Sequence, residues 1–92
     1  MNKGLSVIVK GKVQGVFFRA STVEQAERFG VSGWVKNTSD GHVEMEIYGD
    51  PIDLDKMLDW CKTGPSRAEV AEVNTKDIDY LEGYKSFQVR YN

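Results

Sequence analysis

Nine residues, Gly11-Lys12-Val13-Gln14-Gly15-Val16-Phe17-Phe18-Arg19, carry the clearest chemistry in this chain of 92 residues. Two glycines four positions apart permit the φ > 0 turns that aim successive backbone N–H groups into one concavity. A helical pattern begins at the far end, so the unpaired N–H groups of a first turn and the positive end of a helix dipole face the same point. Such a loop fits a phosphate-like anion, with Arg19 as the full positive charge. The same spacing also occurs in ordinary strand-to-helix connections, and both readings stand at this stage. No Gly-Lys-Ser/Thr follows the second glycine, so the loop is not of the Walker A type, which disfavours a nucleoside triphosphatase.

The charge distribution favours the loop as a binding element. The chain carries a net charge of −2, yet residues 1–23 hold Lys3, Lys10, Lys12 and Arg19 with no acid, a segment of +4 against −6 for the remainder. The acidic total disfavours broad attachment to nucleic acid or to an anionic membrane, while the local basic cluster fits a small anion. Cys61 is the one cysteine, which excludes an intramolecular disulfide and a cysteine metal cluster and fits a reducing compartment. The apolar run at residues 5–9 is too short for a signal h-region or a membrane span. A cytoplasmic protein with a single domain over residues 1–92 is expected, acting as a monomer without membrane or nucleic-acid partners.

The elements that must position the loop follow from periodicity. Leu5, Val7 and Val9 alternate with Ser6, Ile8 and Lys10 as a first strand. From Phe18 or Arg19 to Phe29, Ala20, Val23, Ala26 and Phe29 recur at helical spacing, with Gly30 at the C-terminal cap position. Residues 31–49 read as a hairpin, Val43, Met45 and Ile47 alternating with polar residues, and Asp40-Gly41 predicts a type I′ turn. Asp50-Pro51 opens a second helix with Asp50 as N-cap, and Leu54, Met57, Leu58 and Cys61 form its apolar stripe before Gly64-Pro65. Residues 68–79 predict an extended but irregular segment, where Val70 and Val73 break the alternation as at a bulge or in an acidic edge strand, and Phe87, Val89 and Tyr91 a short last strand. The order β-α-β-β-α-β predicts an α+β, ferredoxin-like two-layer sandwich: an antiparallel sheet of four to five strands with both helices on one face.

In that topology the first two strands run in the same direction with the third between them. The loop leaves the first strand and Asn37 ends the second at one edge of the sheet, two strand spacings or about 10 Å apart. An anion held by Arg19 then faces a carboxamide that both donates and accepts, as holding a water molecule requires. An asparagine near a hairpin turn also serves the turn itself.

The stretches 11–19 and Gly33-Trp34-Val35-Lys36-Asn37-Thr38-Ser39-Asp40-Gly41-His42-Val43-Glu44 together resemble the two signature motifs of the acylphosphatases. Gly64-Pro65 with Ala68 and Val70, and the run Phe87-Gln88-Val89-Arg90-Tyr91, are similar to the same family, so the resemblance spans essentially the whole chain. It implies a small enzyme, without metal or cofactor, that hydrolyses carboxyl-phosphate anhydrides such as acetyl phosphate or acylated phosphoglycerate, with inorganic phosphate as product and inhibitor. It further implies that Arg19 binds the phosphoryl group together with the backbone N–H groups of Gln14, Gly15, Val16, Phe17 and Phe18, and that Asn37 orients the attacking water. Thr38 is expected to support Asn37 by hydrogen bonding. In some members the C-terminal carboxylate helps hold the arginine. Here Asn92 extends the chain past Tyr91, and that role is not carried over.

The chemistry asks for little more. An acyl phosphate expels a carboxylate whose conjugate acid has a pKa of about 4, so protonating the leaving group at neutral pH brings little benefit. The remaining work is to neutralise phosphoryl charge and to place water in line. His42, the single histidine, falls on the polar face of its strand and is not expected to act in catalysis. Two other readings remain. A non-catalytic regulatory domain that binds a small anion needs only the loop. An RNA-binding module of the same fold class would stack bases on Phe17, Phe18, Trp34, Tyr48 or Phe87, but the basic-glycine-aromatic run of such modules is absent and Glu44 and Glu46 occupy the third strand.

Overall fold

The computed structural model describes residues 1–91. The order of elements is β1 (Lys3–Lys12), α1 (Phe18–Phe29), β2 (Ser32–Asn37), β3 (Val43–Gly49), α2 (Pro51–Cys61), β4 (Glu69–Ile78) and β5 (Phe87–Arg90). The five strands form one sheet in the order β4-β1-β3-β2-β5. The first four give the expected arrangement, with β3 antiparallel to both β1 and β2 and β4 antiparallel to β1. The fifth strand makes the sheet mixed, because β5 pairs parallel to β2 through Gly33 and Phe87, Trp34 and Gln88, Val35 and Val89, and Lys36 and Arg90. Alternation alone gave no direction for so short a strand. The direction is set by the connection after β4, which returns the chain to the far edge of the sheet.

The core forms between one face of the sheet and both helices. Val7, Val9, Val35, Val43, Met45 and Ile47 are fully buried from the strands, and Leu54, Met57 and Cys61 from α2 meet them. Burial raises the Cys61 thiol to about 12, so it stays protonated as a core residue. Helix α1 buries Phe18, Thr22 and Ala26, an i, i+4 row, with Val23 and Phe29 only partly covered and Ala20 exposed. The Thr22 hydroxyl donates to the Phe18 carbonyl at 2.7 Å, which satisfies the buried polar group and lets a threonine replace an apolar residue in that row. The helix is therefore rotated from the expected Ala20 face because the large Phe18 ring takes the buried position, tilted against Trp60 at 5.2 Å.

Two expectations about local geometry are corrected. Strand β1 continues through Lys12, so Gly11 belongs to the strand and not to the loop. It lies at the shift in register between β1 and β4, where a Cβ would collide with the backbone of Glu69 and Ala71. The irregularity expected in β4 is this bulge. The β2–β3 turn is also not type I′, which requires φ > 0 at both central residues. Among the turn residues only Gly41 has positive φ, at 92°. Gly41 N donates to Thr38 O at 3.2 Å and Thr38 N to His42 O at 2.9 Å, the pattern of a three-residue connection with the glycine in the left-handed position. One residue more in the connection keeps Asn37 and Val43 as the last paired residues.

Candidate active site

Residue Val43 of β3 pairs with Val9 on one side and with Asn37 on the other, so Asn37 stands level with Val9 across the central strand. Beyond Lys12 the chain leaves β1 and curls through residues 13–17 into α1. Gly15 at φ 73° and Phe17 at φ 64° alternate with residues of negative φ, which turns neighbouring N–H groups toward one side. Phe17 is the N-cap of α1 and is left-handed, with no side chain capping the helix and no acid in the first turn. The first-turn N–H groups, which have no partner inside any helix, are thus left to a ligand.

The loop, Arg19 and Asn37 meet in one cavity of about 320 Å³ whose walls include Val13, Gly15, Phe17, Phe18, Ala20, Val89 and Tyr91. Arg19 is half-buried, its guanidinium 5.1 Å from the centre of the Tyr91 ring. Cation–π attraction holds the guanidinium beside the ring, and a guanidinium fork can take an anion bidentately. Asn37 is also half-buried, and its Oδ1 is enclosed with no hydrogen-bond partner among the described residues. Buried polar atoms are nearly always paired, so an orphan acceptor in a cleft marks a site for a ligand or water. A half-turn of the carboxamide exchanges its oxygen and nitrogen, so this wall of the cavity offers both an acceptor and a donor.

Gln14 has a role that sequence reading missed. Its Nε2 donates to Thr38 O at 2.8 Å and to His42 O at 2.9 Å, the two carbonyls at the mouth of the β2–β3 turn. One amide group thereby fastens the loop to the strand end that carries Asn37. Both partners are main-chain carbonyls more than twenty positions away, so no side-chain pattern revealed them. Thr38 does not support Asn37 in the expected way. Its hydroxyl donates to Asp40 Oδ1 and accepts from His42 N at 3.0 Å, so it orders the turn. That hydrogen bond holds the exposed Asp40 carboxyl below its ordinary value. His42 is half-buried, with Nε2 at 4.0 Å from Asp40 Oδ2, and belongs to the turn as well. The role of a C-terminal carboxylate concerns Asn92, which lies outside the described residues.

Among the described residues no group of three or more His, Cys, Asp or Glu side chains is placed to hold a metal, and no helix is long and apolar enough to cross a membrane. The chemistry on offer is that of fixed positive charge and amide dipoles around an anion, beside a carboxamide that can hold water.

Comparison with known proteins agrees with this geometry. The family model for acylphosphatase matches residues 5–89. The chain is 47% identical over 88 residues to an acylphosphatase of Rubrobacter xylanophilus, covering 96% of this chain and 80% of that one. It is likewise 47% identical over 85 residues to an acylphosphatase of Geobacter sulfurreducens, covering 92% and 93% of the two chains. Among solved structures, an acylphosphatase from Coxiella burnetii superposes with a TM-score of 0.91 at 42% identity, over 97% of this chain and 93% of that one. The Bacillus subtilis acylphosphatase superposes at 0.92 with 33% identity, over 99% and 100% of the two chains. A fold shared over the full described length, together with this identity and the family match, places the chain in the acylphosphatase family, hydrolases of acyl phosphates.

Proposed function

We propose that acyl phosphate hydrolysis in this enzyme is divided between two groups: the residue 14–18 loop with Arg19 holds the phosphoryl group, and Asn37 holds the attacking water. The observation that carries this reading is the meeting, in one cavity, of an uncapped helix start, a guanidinium and a carboxamide whose oxygen has no partner. The loop N–H groups and the Arg19 fork neutralise charge on the phosphoryl oxygens, which lowers the barrier to attack by water. The water oxygen forms a bond to phosphorus as the bond from phosphorus to the acyl oxygen breaks. The carboxylate leaves with its electron pair, and the proton of the water passes to a phosphoryl oxygen and then to solvent. No general acid is needed for such a leaving group, and the reaction proceeds without metal or cofactor.

The smaller expectations belong to the same proposal. Inorganic phosphate, the product, competes for the loop. The protein acts as a cytoplasmic monomer with residues 1–92 as one domain, a reading supported by the buried lone thiol and by the single sheet that contains all five strands. Nucleic acid is not a partner. Phe18 and Phe87 are in the core, Tyr48 stacks on Tyr84 at 5.2 Å and donates to Glu46, and Trp34 donates to Glu46 beneath the Arg90 guanidinium. The sheet aromatics are therefore engaged within the protein, and Phe17, the exposed one of the five, lies at the start of α1 and not on the sheet.

The division of labour is tested with Asn37→Ala. With acetyl phosphate and a chelator present, turnover should fall to the background rate while the inhibition constant for inorganic phosphate, read by competition on residual activity or by direct titration, stays within about twofold. Loss of turnover and phosphate affinity together would show that Asn37 is part of the anion cradle and not the holder of water.

A further inference from the structure

The sheet does not itself join the two halves of the site. Strand β3 pairs with β1 only as far as Val43 with Val9, and with β2 only as far as Val43 with Asn37. Beyond those pairs β1 continues to Lys12 on its ladder with β4 alone. The loop after β1 and the turn after Asn37 therefore leave the sheet with no strand pairing between them. The two Gln14 Nε2 bonds, 2.8 Å to Thr38 O and 2.9 Å to His42 O, are the only hydrogen bonds between residues 13–17 and residues 37–43 among those described.

The side chain suits this task closely. A carboxamide nitrogen carries two protons, and here each one has a carbonyl acceptor. An asparagine is one methylene shorter, and a lysine would add charge beside the anion cradle, whereas the half-buried glutamine is neutral and leaves the charge to Arg19. The loop that it ties has few restraints of its own, with left-handed turns at Gly15 and Phe17 and no side chain capping the helix that follows. On the other side, Asn37 Oδ1 has no hydrogen-bond partner among the described residues, so the carboxamide takes its place from the backbone at the end of β2.

Phosphorus is thus located by the loop and the attacking water by the end of β2, and their separation depends on what holds loop to turn. Attack needs the reacting atoms about 3 to 3.5 Å apart and in line, and a misplacement of about 1 Å costs on the order of 10²-fold in rate. Resting on the division of labour proposed above, we propose that the Gln14 side chain is a positioning residue for hydrolysis. It sets the spacing between the phosphoryl cradle and Asn37, and so governs the chemical step and not the affinity for the anion. The main-chain N–H of residue 14 remains in the cradle whatever the side chain.

The test uses Gln14→Met, which keeps the length of the side chain without its donors, and Gln14→Glu, which keeps its shape but turns a carboxylate toward two carbonyl oxygens. With acetyl phosphate at neutral pH, kcat should fall on the order of 10²-fold in both, while the inhibition constant for inorganic phosphate stays within about threefold. Gln14→Glu should then recover with acid. A carboxyl among acceptors is more easily protonated than one in water, and once protonated it donates one of the two lost bonds. The ratio of its kcat to that of the wild type should rise about tenfold from about pH 7.5 to about pH 5, with Gln14→Met flat over the same range. Lys12, Arg19, Asp40 and His42, the charged or titratable residues of the two segments and the helix start, are common to all three proteins, so their titration cancels in the ratio. Urea denaturation at each pH confirms that only folded protein is compared.

Unchanged kcat in both variants, equal loss of kcat and phosphate affinity, or a Gln14→Glu ratio that does not rise with acid would overturn the positioning role and leave the hydrolase reading intact. The parent reading fails separately, through loss of phosphate affinity in Asn37→Ala.

Discussion

The two helices of this protein begin in opposite ways. Helix α2 is closed by its own sequence: Asp50, in an extended conformation, accepts a hydrogen bond from Ile52 N at 3.0 Å, Pro51 occupies the first turn where no N–H is needed, and Asp53 complements the dipole. Helix α1 lacks all of these. Its N-cap is a left-handed Phe17 with no capping side chain, its first turn holds no acid, and Arg19 places positive charge at the positive end of the dipole. Each difference weakens α1 as an isolated helix and strengthens it as an anion site. The comparison separates a helix start closed by its own side chains from one left uncapped, and the uncapped one is fastened through Gln14 to the turn that follows Asn37.

Removing the charge from the open start should have the largest effect. Arg19→Ala is expected to lower kcat/KM by on the order of 10³-fold, and Arg19→Lys should not restore it, because a point charge lacks the planar fork and stacks less well on Tyr91. Thermal stability of Arg19→Ala should be equal to or higher than that of the wild type, since a charge opposed to the dipole is removed. A large loss of stability accompanying the loss of rate would assign Arg19 to the fold.

At the closed start the expectation is reversed. Asp50→Ala should reduce unfolding free energy by about 1 kcal/mol, read by urea denaturation, and leave kcat and KM as they are. If this substitution altered KM for acetyl phosphate, the two helix starts would not be functionally separate.

The smallest effect concerns the turn that receives Gln14. The Thr38 hydroxyl lowers the Asp40 pKa in the folded state. A depressed folded pKa stabilises the native state above the unfolded value near 3.8, and that stabilisation is lost as pH falls through the folded value. Denaturation midpoints of the wild type and Asp40→Asn should therefore differ at neutral pH and converge below that range. Because Asp40 is fully exposed, the difference should be small and should shrink with added salt.

The contrast between the helices also shows what was legible in the chain. Asp50-Pro51 and the stripe Leu54, Met57, Leu58 and Cys61 are local signals, and they delimited α2 because capping and burial there follow local rules. Asn37 was legible through topology, since strand order alone brings its end of β2 to the loop after β1. Phe17 in a left-handed conformation could not be read, as it opposes the residue's own preference and is held by the loop around it. The Gln14 amide bonds, the parallel pairing of β5 and the rotation of α1 onto Phe18 and Thr22 likewise depend on contacts between distant segments. The turn at Asp40-Gly41 failed for a narrower reason: the same dipeptide serves two connection lengths, and only the position of Gly41 relative to Thr38 separates them.

The central claim is that the start of α1, and not that of α2, is the phosphoryl site. It is tested most directly by titrating ¹⁵N-labelled protein with inorganic phosphate and following backbone and side-chain amides by NMR. Saturable shifts should concentrate in residues 14–19 and the Asn37 side chain, with the amides of Ile52, Asp53 and Leu54 unmoved. Shifts of similar size at both helix starts, or none in residues 14–19, would contradict it.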